Sequence, residues 1–309
     1  MTLFKTTAIF VLISAGISHF TIISACSCFI ADIIVCKPDS GNSKFQIKSS
    51  LSAMNLKGKV RKLTETEYDG VEISGKIQRG AVGQKKISFF DTSGYMTRIR
   101  YYPQSNTKSQ MQTLFNYDTK LRLSEENLYV ELAGKNVIWR KIIIRYDEKG
   151  KKIEKEEFIH FEKDSLLQES KTTFSYDSSD LKCLGISFSS TSDLHGITSD
   201  TSKESYLNDR KGNVLEKISL DRNGKVTRSD YKYDEETKLI EIHYYYPVAK
   251  PLIPKADKAG KNIDQYRPKP NEEVTRFKYL KFDSMGNWLL ELKSEYFIHT
   301  YTQREIEYY

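Results

Sequence analysis

The 309 residues carry 20 Tyr and 15 Phe, a surplus that favours one large all-β domain over two domains or a helical one, because flat rings pack across a pleated surface. The net charge is +7, yet Lys and Arg are interleaved with Asp and Glu, which describes a solvated mixed surface rather than a basic stripe for nucleic acid. Three of the four cysteines lie within residues 1–36, leaving Cys183 alone beyond them, so an intramolecular disulfide framework is excluded there.

In chain order, the first element is a leader. After Lys5 comes AIFVLISAGISHFTIISACSC, an apolar stretch with a thin basic start and the shape of a secretory signal. The segment IISAC resembles the bacterial lipobox, where a lipoprotein peptidase cuts before a cysteine that carries lipid. That resemblance implies a lipoprotein-type signal peptide over 1–25 and lipid attachment at Cys26. Apolar residues continue through FIADIIVC, so an uncleaved N-terminal membrane anchor over roughly residues 8–30 also fits the length. The expected location is the bacterial cell envelope, as a membrane-anchored lipoprotein on the periplasmic or outer-membrane face. Residues 26–54 are predicted to be a tether, small and polar from Lys37 onward.

From 55 to 309 strand patterns alternate with turn signals. FDTSG, YDEKG, NDRKG, LDRNG and FDSMG place Asp-x-x-Gly at Asp91 and Gly94, Asp147 and Gly150, Asp209 and Gly212, Asp221 and Gly224, and Asp283 and Gly286. YDTKL, YDSSD and YDEET keep the acid at Asp118, Asp177 and Asp234 without the glycine. In a three-residue hairpin loop a type I turn is followed by one residue of positive φ, which Gly adopts without a Cβ clash, while Asp accepts N–H groups two residues on. These positions are therefore predicted structural turns.

The flanks alternate as strands should. NWLLELKSEY sets Trp288, Leu290 and Leu292 against Leu289, Glu291, Lys293 and Glu295, a half-buried pattern. Ile142, Ile144 and Tyr146 share one side of VIWRKIIIRYD, and Ile242, Tyr244 and Tyr246 one side of LIEIHYYYP. Most acid anchors recur about every 25–32 residues, the length of two strands and two turns, so each unit is a hairpin that needs its neighbours. The predicted fold is all-β: an antiparallel meander of repeated hairpins, strongly twisted and curled into an open barrel or a sandwich. Two stretches interrupt it. Residues 247–273 form an inserted loop rich in Pro and Lys, and the Ser/Thr-rich 187–205 is a long loop or a polar hairpin.

The aromatic–Asp–x–x–Gly units resemble the YD-repeat (Rhs-like) hairpins of secreted bacterial proteins. Gly286-Asn287-Trp288 together with REIEYY at Arg304 to Tyr309 is similar to uncharacterised Bacteroidetes-type exported lipoproteins. The resemblance covers most of residues 56–309. It implies an exported scaffold or binding protein and supplies no catalytic residue.

Motifs of chemistry are missing from the sequence. His160, His195, His243 and His299 are scattered, without the clustering a metal site needs. Asp221 and Asn223 fall short of a calcium loop, there is no GxSxG, and Cys183 reads as a small buried hydrophobe. Glu125 and Glu126, like Glu156 and Glu157, are neighbours and point to opposite faces of a strand. No cofactor, metal or catalytic residue is expected. The expected work is non-catalytic binding or scaffolding in the envelope, with membrane contact through the N-terminal lipid, an unknown protein or glycan ligand, and no nucleic acid. The alternative is an envelope glycan-acting hydrolase whose site is drawn from separate strands, which convergent carboxylates on a concave wall would favour.

Overall fold

The computed structural model describes residues 49–309 except 104–110, 133, 161–164, 180–181, 194–195, 211, 222, 247–270 and 296–297. Cys26 and the whole leader lie outside the described residues, as does most of the inserted loop.

One short helix, α1 (Ser50–Ala53), precedes sixteen strands: β1 (Val60–Ile73), β2 (Lys76–Phe90), β3 (Met96–Pro103), β4 (Met111–Tyr117), β5 (Leu123–Leu132), β6 (Lys135–Tyr146), β7 (Lys152–His160), β8 (Leu166–Tyr176), β9 (Lys182–Asp193), β10 (Gly196–Asn208), β11 (Val214–Leu220), β12 (Val226–Tyr233), β13 (Leu239–Tyr246), β14 (Asn271–Phe282), β15 (Trp288–Glu295) and β16 (Ile298–Tyr308). Each pairs with its chain neighbour, and β1 also pairs with β16, so the meander closes into a barrel. The expected all-β antiparallel meander is borne out, and of the two forms expected for it, an open barrel or a sandwich, the barrel is the one formed, with its edges closed. Leu63 opposite Ile306, Glu65 opposite Arg304 and Glu67 opposite Thr302 form the closing seam, and closure removes the two exposed edges an open meander would leave. Residues 187–205 resolve into the polar hairpin β9–β10, and β14 takes in residues 271–273 of the predicted loop.

Register divides the side chains between two walls. Leu63, Ile99, Ile142, Ile144, Cys183, Ile242 and Thr275 are buried, and ladder pairing puts them all on the same side of the sheet, the inside of the barrel. Adjacent carboxylates part as alternation requires. Glu126 is buried, while Glu125 pairs with Lys141 at 3.0 Å on the outer wall. Glu157 pairs inward with Arg140, and Glu156 pairs outward with Arg145 at 2.7 Å.

In β15 the inward set is Glu291, Lys293 and Glu295, opposite Tyr279, Phe277 and Thr275, while Leu290 and Leu292 face out. A register shift between Lys281 and Phe282 returns Trp288 to the inside, its ring 5.6 Å from that of Tyr279. Such a bulge moves a side chain to the other wall without changing the sequence alternation.

Candidate functional site

The recurrent turns sit together in space. Those at Asp91, Asp118, Asp147, Asp177, Asp209, Asp234 and Asp283 each follow an even-numbered strand and so lie at the end where β1 begins, whereas Asp221 follows β11 at the far end. The 25–32-residue interval is the distance the chain travels to return to one rim. In the turns of Asp91, Asp118, Asp147, Asp209, Asp221, Asp234 and Asp283, the acid's N–H donates to the carbonyl four residues on, and the residue three on donates back. The carboxylate accepts the N–H four residues on in each of these turns. Gly94, Gly150, Gly212, Gly224 and Gly286 have φ of 85°, 84°, 85°, 74° and 79°. Where glycine is missing, Leu121 at 60° and Thr237 at 65° adopt the same left-handed backbone, at a cost of about 1–2 kcal/mol each.

The aromatic residue before the acid has its own task. Tyr117, Tyr146, Tyr176 and Tyr233 donate their hydroxyls to the carbonyls of Met96, Leu123, Lys152 and Val214 at 2.8–3.0 Å, and those four residues open β3, β5, β7 and β11. At this rim the paired strands have no turn between them, so each tyrosine fastens one hairpin to the next. Burial, the largest cause, pushes the Tyr117 hydroxyl up to about 12 and raises those of Tyr146 and Tyr233 too. They remain donors at all ordinary pH values.

A strap crosses this rim. Ser50 Oγ accepts from Met96 N–H at 2.9 Å and meets Tyr117 Oη at 3.1 Å. Asn55 Nδ2 reaches the Glu236 carbonyl in the β12–β13 turn, and Asn287 in the β14–β15 turn holds both the N–H and the carbonyl of Lys57. Leu51 and Leu56 pack with Val60, Leu63, Phe90, Met96 and Ile99, each contributing about 1.5–3 kcal/mol by burial. Of the stretch predicted as tether, residues 50–53 form α1, with Ser50 and Leu51 buried against the barrel. Asn287, Trp288, Arg304 and Tyr308 meet here as well: Asn287 donates to Tyr308 Oη at 2.7 Å, and Arg304 lies 3.3 Å from the Trp288 ring centroid.

Above the strap the inner wall becomes polar. Glu65 accepts from Arg304 Nη2 at 2.8 Å and pairs with Lys86 at 2.6 Å. Burial alone would raise its carboxyl, but Lys86 and Arg304 overcome this and hold it down at about 2. Glu291 is nearby with weaker compensation. Burial and the Glu65 charge, against a partial offset from Arg304, push it up to about 7. Half the ring away, Glu157 pairs with Arg140 and, at 3.8 Å, with Lys155, and burial with the Glu157 charge raises Glu169. Between these clusters Tyr231, Tyr244 and Tyr246 line the wall; burial is the largest cause raising the hydroxyls of Tyr244 and Tyr246, followed by Tyr231 and Glu295 for the first and by Glu273 for the second. Beside them, on β8 to β11, the wall carries small hydroxyl residues, among them Thr172 and Ser187, 2.7 Å apart, and Ser202 and Ser219.

The outer wall is laced with ion pairs. Lys171–Glu154 at 2.6 Å, Arg228–Glu216 at 3.1 Å and Lys232–Glu241 at 2.8 Å continue the ladder of Glu125 and Glu156. His243 sits between Glu241 and Glu272, His160 stacks on Trp139, and His299 meets Ser294; His195 lies outside the described residues. Among the described residues no group of three or more His, Cys, Asp or Glu could hold a metal ion, and no helix is long and apolar enough to cross a membrane.

No protein-family model matches this sequence, and no curated protein matches it. Solved structures similar to it include a porin-like protein from Bacteroides vulgatus, 11% identical, over 82% of this chain and 99% of that one, with a TM-score of 0.42. A porin-like protein from Bacteroides uniformis matches at 10% identity over 80% and 96% of the two chains, TM-score 0.31. A protein of unknown function from Bacteroides fragilis matches at 14% identity over 44% and 91%, TM-score 0.30.

The sequence singled out the turn residues, and the structure gathers most of them at one rim. The inner carboxylates Glu65, Glu67 and Glu291 were not singled out. The signal for Glu65 and Glu67 was the alternation of acids on the Leu63 side of LTETEYD, legible only once that side is known to face inward.

Proposed function

We propose that this is an exported, lipid-anchored protein of the bacterial cell envelope that binds a glycan on the inner wall of its barrel. The observation that carries the reading is the contrast between walls. A barrel spanning a membrane needs an apolar outer band, and Lys or Arg facing lipid costs about 2–4 kcal/mol each near the midplane. Lys141, Arg145, Lys171 and Arg228 stand on the outer wall with carboxylate partners, which supports a water-bathed barrel held to the membrane from outside itself. The inner wall has the opposite character, with aromatic rings beside carboxylates and hydroxyls, the mix that gives orientation to a polar ligand in a concave site.

The chain enters the barrel at the strap, so a tether from Cys26 would turn the strap end toward the membrane and the far end away from it. The tyrosine fastenings also give the aromatic–Asp pair a reason to recur, which supports reading the hairpins as YD-type repeats. Labelled-lipid incorporation and membrane fractionation test the anchor: Cys26→Ser should lose both the label and retention, and unchanged retention would point to the uncleaved leader. Binding is tested with the full-length protein on a glycan array. Tyr244→Ala should weaken any glycan bound by the wild type, and equal binding would remove the inner wall from the reading.

A further inference from the structure

The outer wall of β2 and β3 departs from the ion-paired pattern around it. Ile99 lies opposite the inward Ser88, so Arg98, Arg100 and Tyr102 face out, as do Phe89, Ile87 and Lys85 across the ladder. The Arg98 guanidinium stands 4.3 Å from the centre of the Phe89 ring, and that of Arg100 stands 5.8 Å from it. Farther along β2, Arg79 lies 4.5 Å over the ring of Tyr68. Arg98 and Arg100 are half-buried, while Lys85 and Arg79 are exposed.

Among the described residues none of these four cations has a carboxylate partner, and sequence and register together explain why. From Thr92 to Tyr117 the chain has no Asp or Glu. In the row of Arg100, toward β1, the first carboxylate is Glu305, beyond Ile87 and Thr64, three strands and about 14 Å away. In the row of Arg98 it is Glu307, beyond Phe89 and Lys62, and Lys62 already holds it at 2.6 Å. On the other side Leu114, Gln112, Asn127 and Tyr129 bring no charge. Arg98 Nε is covered without a hydrogen-bond partner, and burial followed by the Arg100 charge lowers the Arg98 guanidinium from its ordinary value. An anion between the two arginines offsets their repulsion and gives both a charge-assisted hydrogen bond.

The shape of the patch selects among anions. From Phe89 to Arg79 it follows β2 for roughly 30 Å at ~3.3 Å per residue, a line along the wall rather than a ring at one rim, where a flat membrane surface would touch. Nucleic acid stacks its bases on open aromatic faces, but Arg98 and Arg100 occupy the Phe89 face and Arg79 that of Tyr68. An extended peptide adds to a free strand edge, and closure leaves none.

We propose that this outer stripe binds an acidic polysaccharide, a linear chain of sugars bearing sulfate or carboxylate groups. Arg98 and Arg100 grip one anionic group, and Lys85 and Arg79 take others farther along the chain. Tyr102, opposite Lys85, offers its hydroxyl to the same ligand. The stripe is separate from the inner wall and stands whether or not that wall binds a glycan.

The test titrates the full-length protein with dextran sulfate and with uncharged dextran of the same length, at low and at high salt. Dextran sulfate is expected to bind, with an affinity that falls as salt rises, and dextran to bind far more weakly. Replacing both arginines, Arg98→Gln with Arg100→Gln, should lose about 10-fold or more in affinity at low salt and leave a shallower salt dependence. Lys85→Gln, at an exposed position where folding is not at risk, should weaken binding in the same direction. Lys141→Gln, outward but already paired with Glu125, should bind as the wild type does. Dextran bound as tightly as dextran sulfate, unchanged affinity in the arginine or Lys85 variants, or an equal loss in Lys141→Gln overturns the proposal. Tighter binding of single-stranded DNA, polyglutamate or phosphatidylglycerol vesicles through the same arginines gives the stripe to that partner and overturns the polysaccharide.

Discussion

At the strap end every hairpin closes on an aspartate, and tyrosine hydroxyls tie each of four hairpins to the one before. At the far end the β1–β2 tip is Ser74-Gly75, the β5–β6 tip includes Gly134, and among the described residues the acid turn is repeated at Asp221. The glycines report the same contrast. A Cβ on Gly94 would meet Leu51 at 3.0 Å and Ser49 at 3.2 Å, while one on Gly75, Gly134 or Gly224 would meet nothing within 4 Å. One end is a fastened base whose turns serve the fold. At the other, the described tips at Gly75, Gly134 and Gly224 stand clear of such contacts, and tips of that kind can change without disturbing the ring.

The largest test of that base breaks its seam. Glu65→Gln leaves Arg304 and Lys86 without their shared anion in a site where the Glu65 and Arg304 side chains are each 9% exposed, so urea melts should show a loss of about 3–5 kcal/mol. The outer pair Lys141–Glu125 is about a quarter exposed at each partner, and Glu125→Gln should cost about 1 kcal/mol or less. Equal losses would mean that the seam is no better fastened than the surface.

The second test uses pH. The folded carboxyl of Glu291 titrates near 7 against an ordinary 4.5, so the folded state holds a proton that the unfolded state has released. Stability should fall by about 3 kcal/mol as pH rises from about 4.5 to about 7 and stay low above that. Glu65 has the opposite sign: its contribution is complete above about 4.5 and is lost as pH drops toward 2. Together they place a stability maximum near pH 5, and Glu291→Gln should flatten the alkaline side of it in thermal melts while leaving the acid side alone. A persistent alkaline decline in that variant would assign it to another group.

Glycine replacements sharpen the contrast further. Gly94 and Gly224 have similar positive φ, so the backbone term of Gly→Val is shared, about 1–2 kcal/mol. Any excess at Gly94 measures the strap pressed against it. Gly286→Val should fall in the same range, and Gly286→Asn well below it, because Asn tolerates the left-handed region. Identical urea midpoints for all of these would remove both the turn assignment and the strap contact.

The hairpin tips were legible because a tight turn is a bargain among five consecutive residues, and Asp283 to Asn287 contain all of it. Closure was not. Glu65 and Arg304 are 239 residues apart, and nothing local in ETEYD or REIEYY says that one will face the other. The inner side of β15 was also misread in kind: Leu290 and Leu292 suggest an apolar core face, but the ladder turns Glu291 and Lys293 inward. In a wide barrel the inner wall contacts polar lumen as well as core, so the rule that apolar residues mark the buried side loses its force. Arg304 and Trp288 stood in quoted motifs, yet only their contact explains why both belong there.

The smallest effect tests whether the fastened rim is still strained where the repeat is incomplete. Leu121 occupies the position of Gly94 and Gly150 in the Asp118 turn with φ of 60° and half its side chain exposed, so it gives up little burial if removed. Replacing it by glycine relieves about 1–2 kcal/mol of left-handed backbone strain and returns about 0.5–1 kcal/mol as added freedom of the unfolded chain. Leu121→Gly should therefore stabilise the protein by about 0.5–1 kcal/mol in urea melts, whereas Gly150→Leu should destabilise it by more than that. A destabilised Leu121→Gly would mean that the Asp118 carboxylate, bound by Arg122 through Nε at 2.6 Å, already sets the turn so firmly that glycine only adds freedom to the unfolded chain.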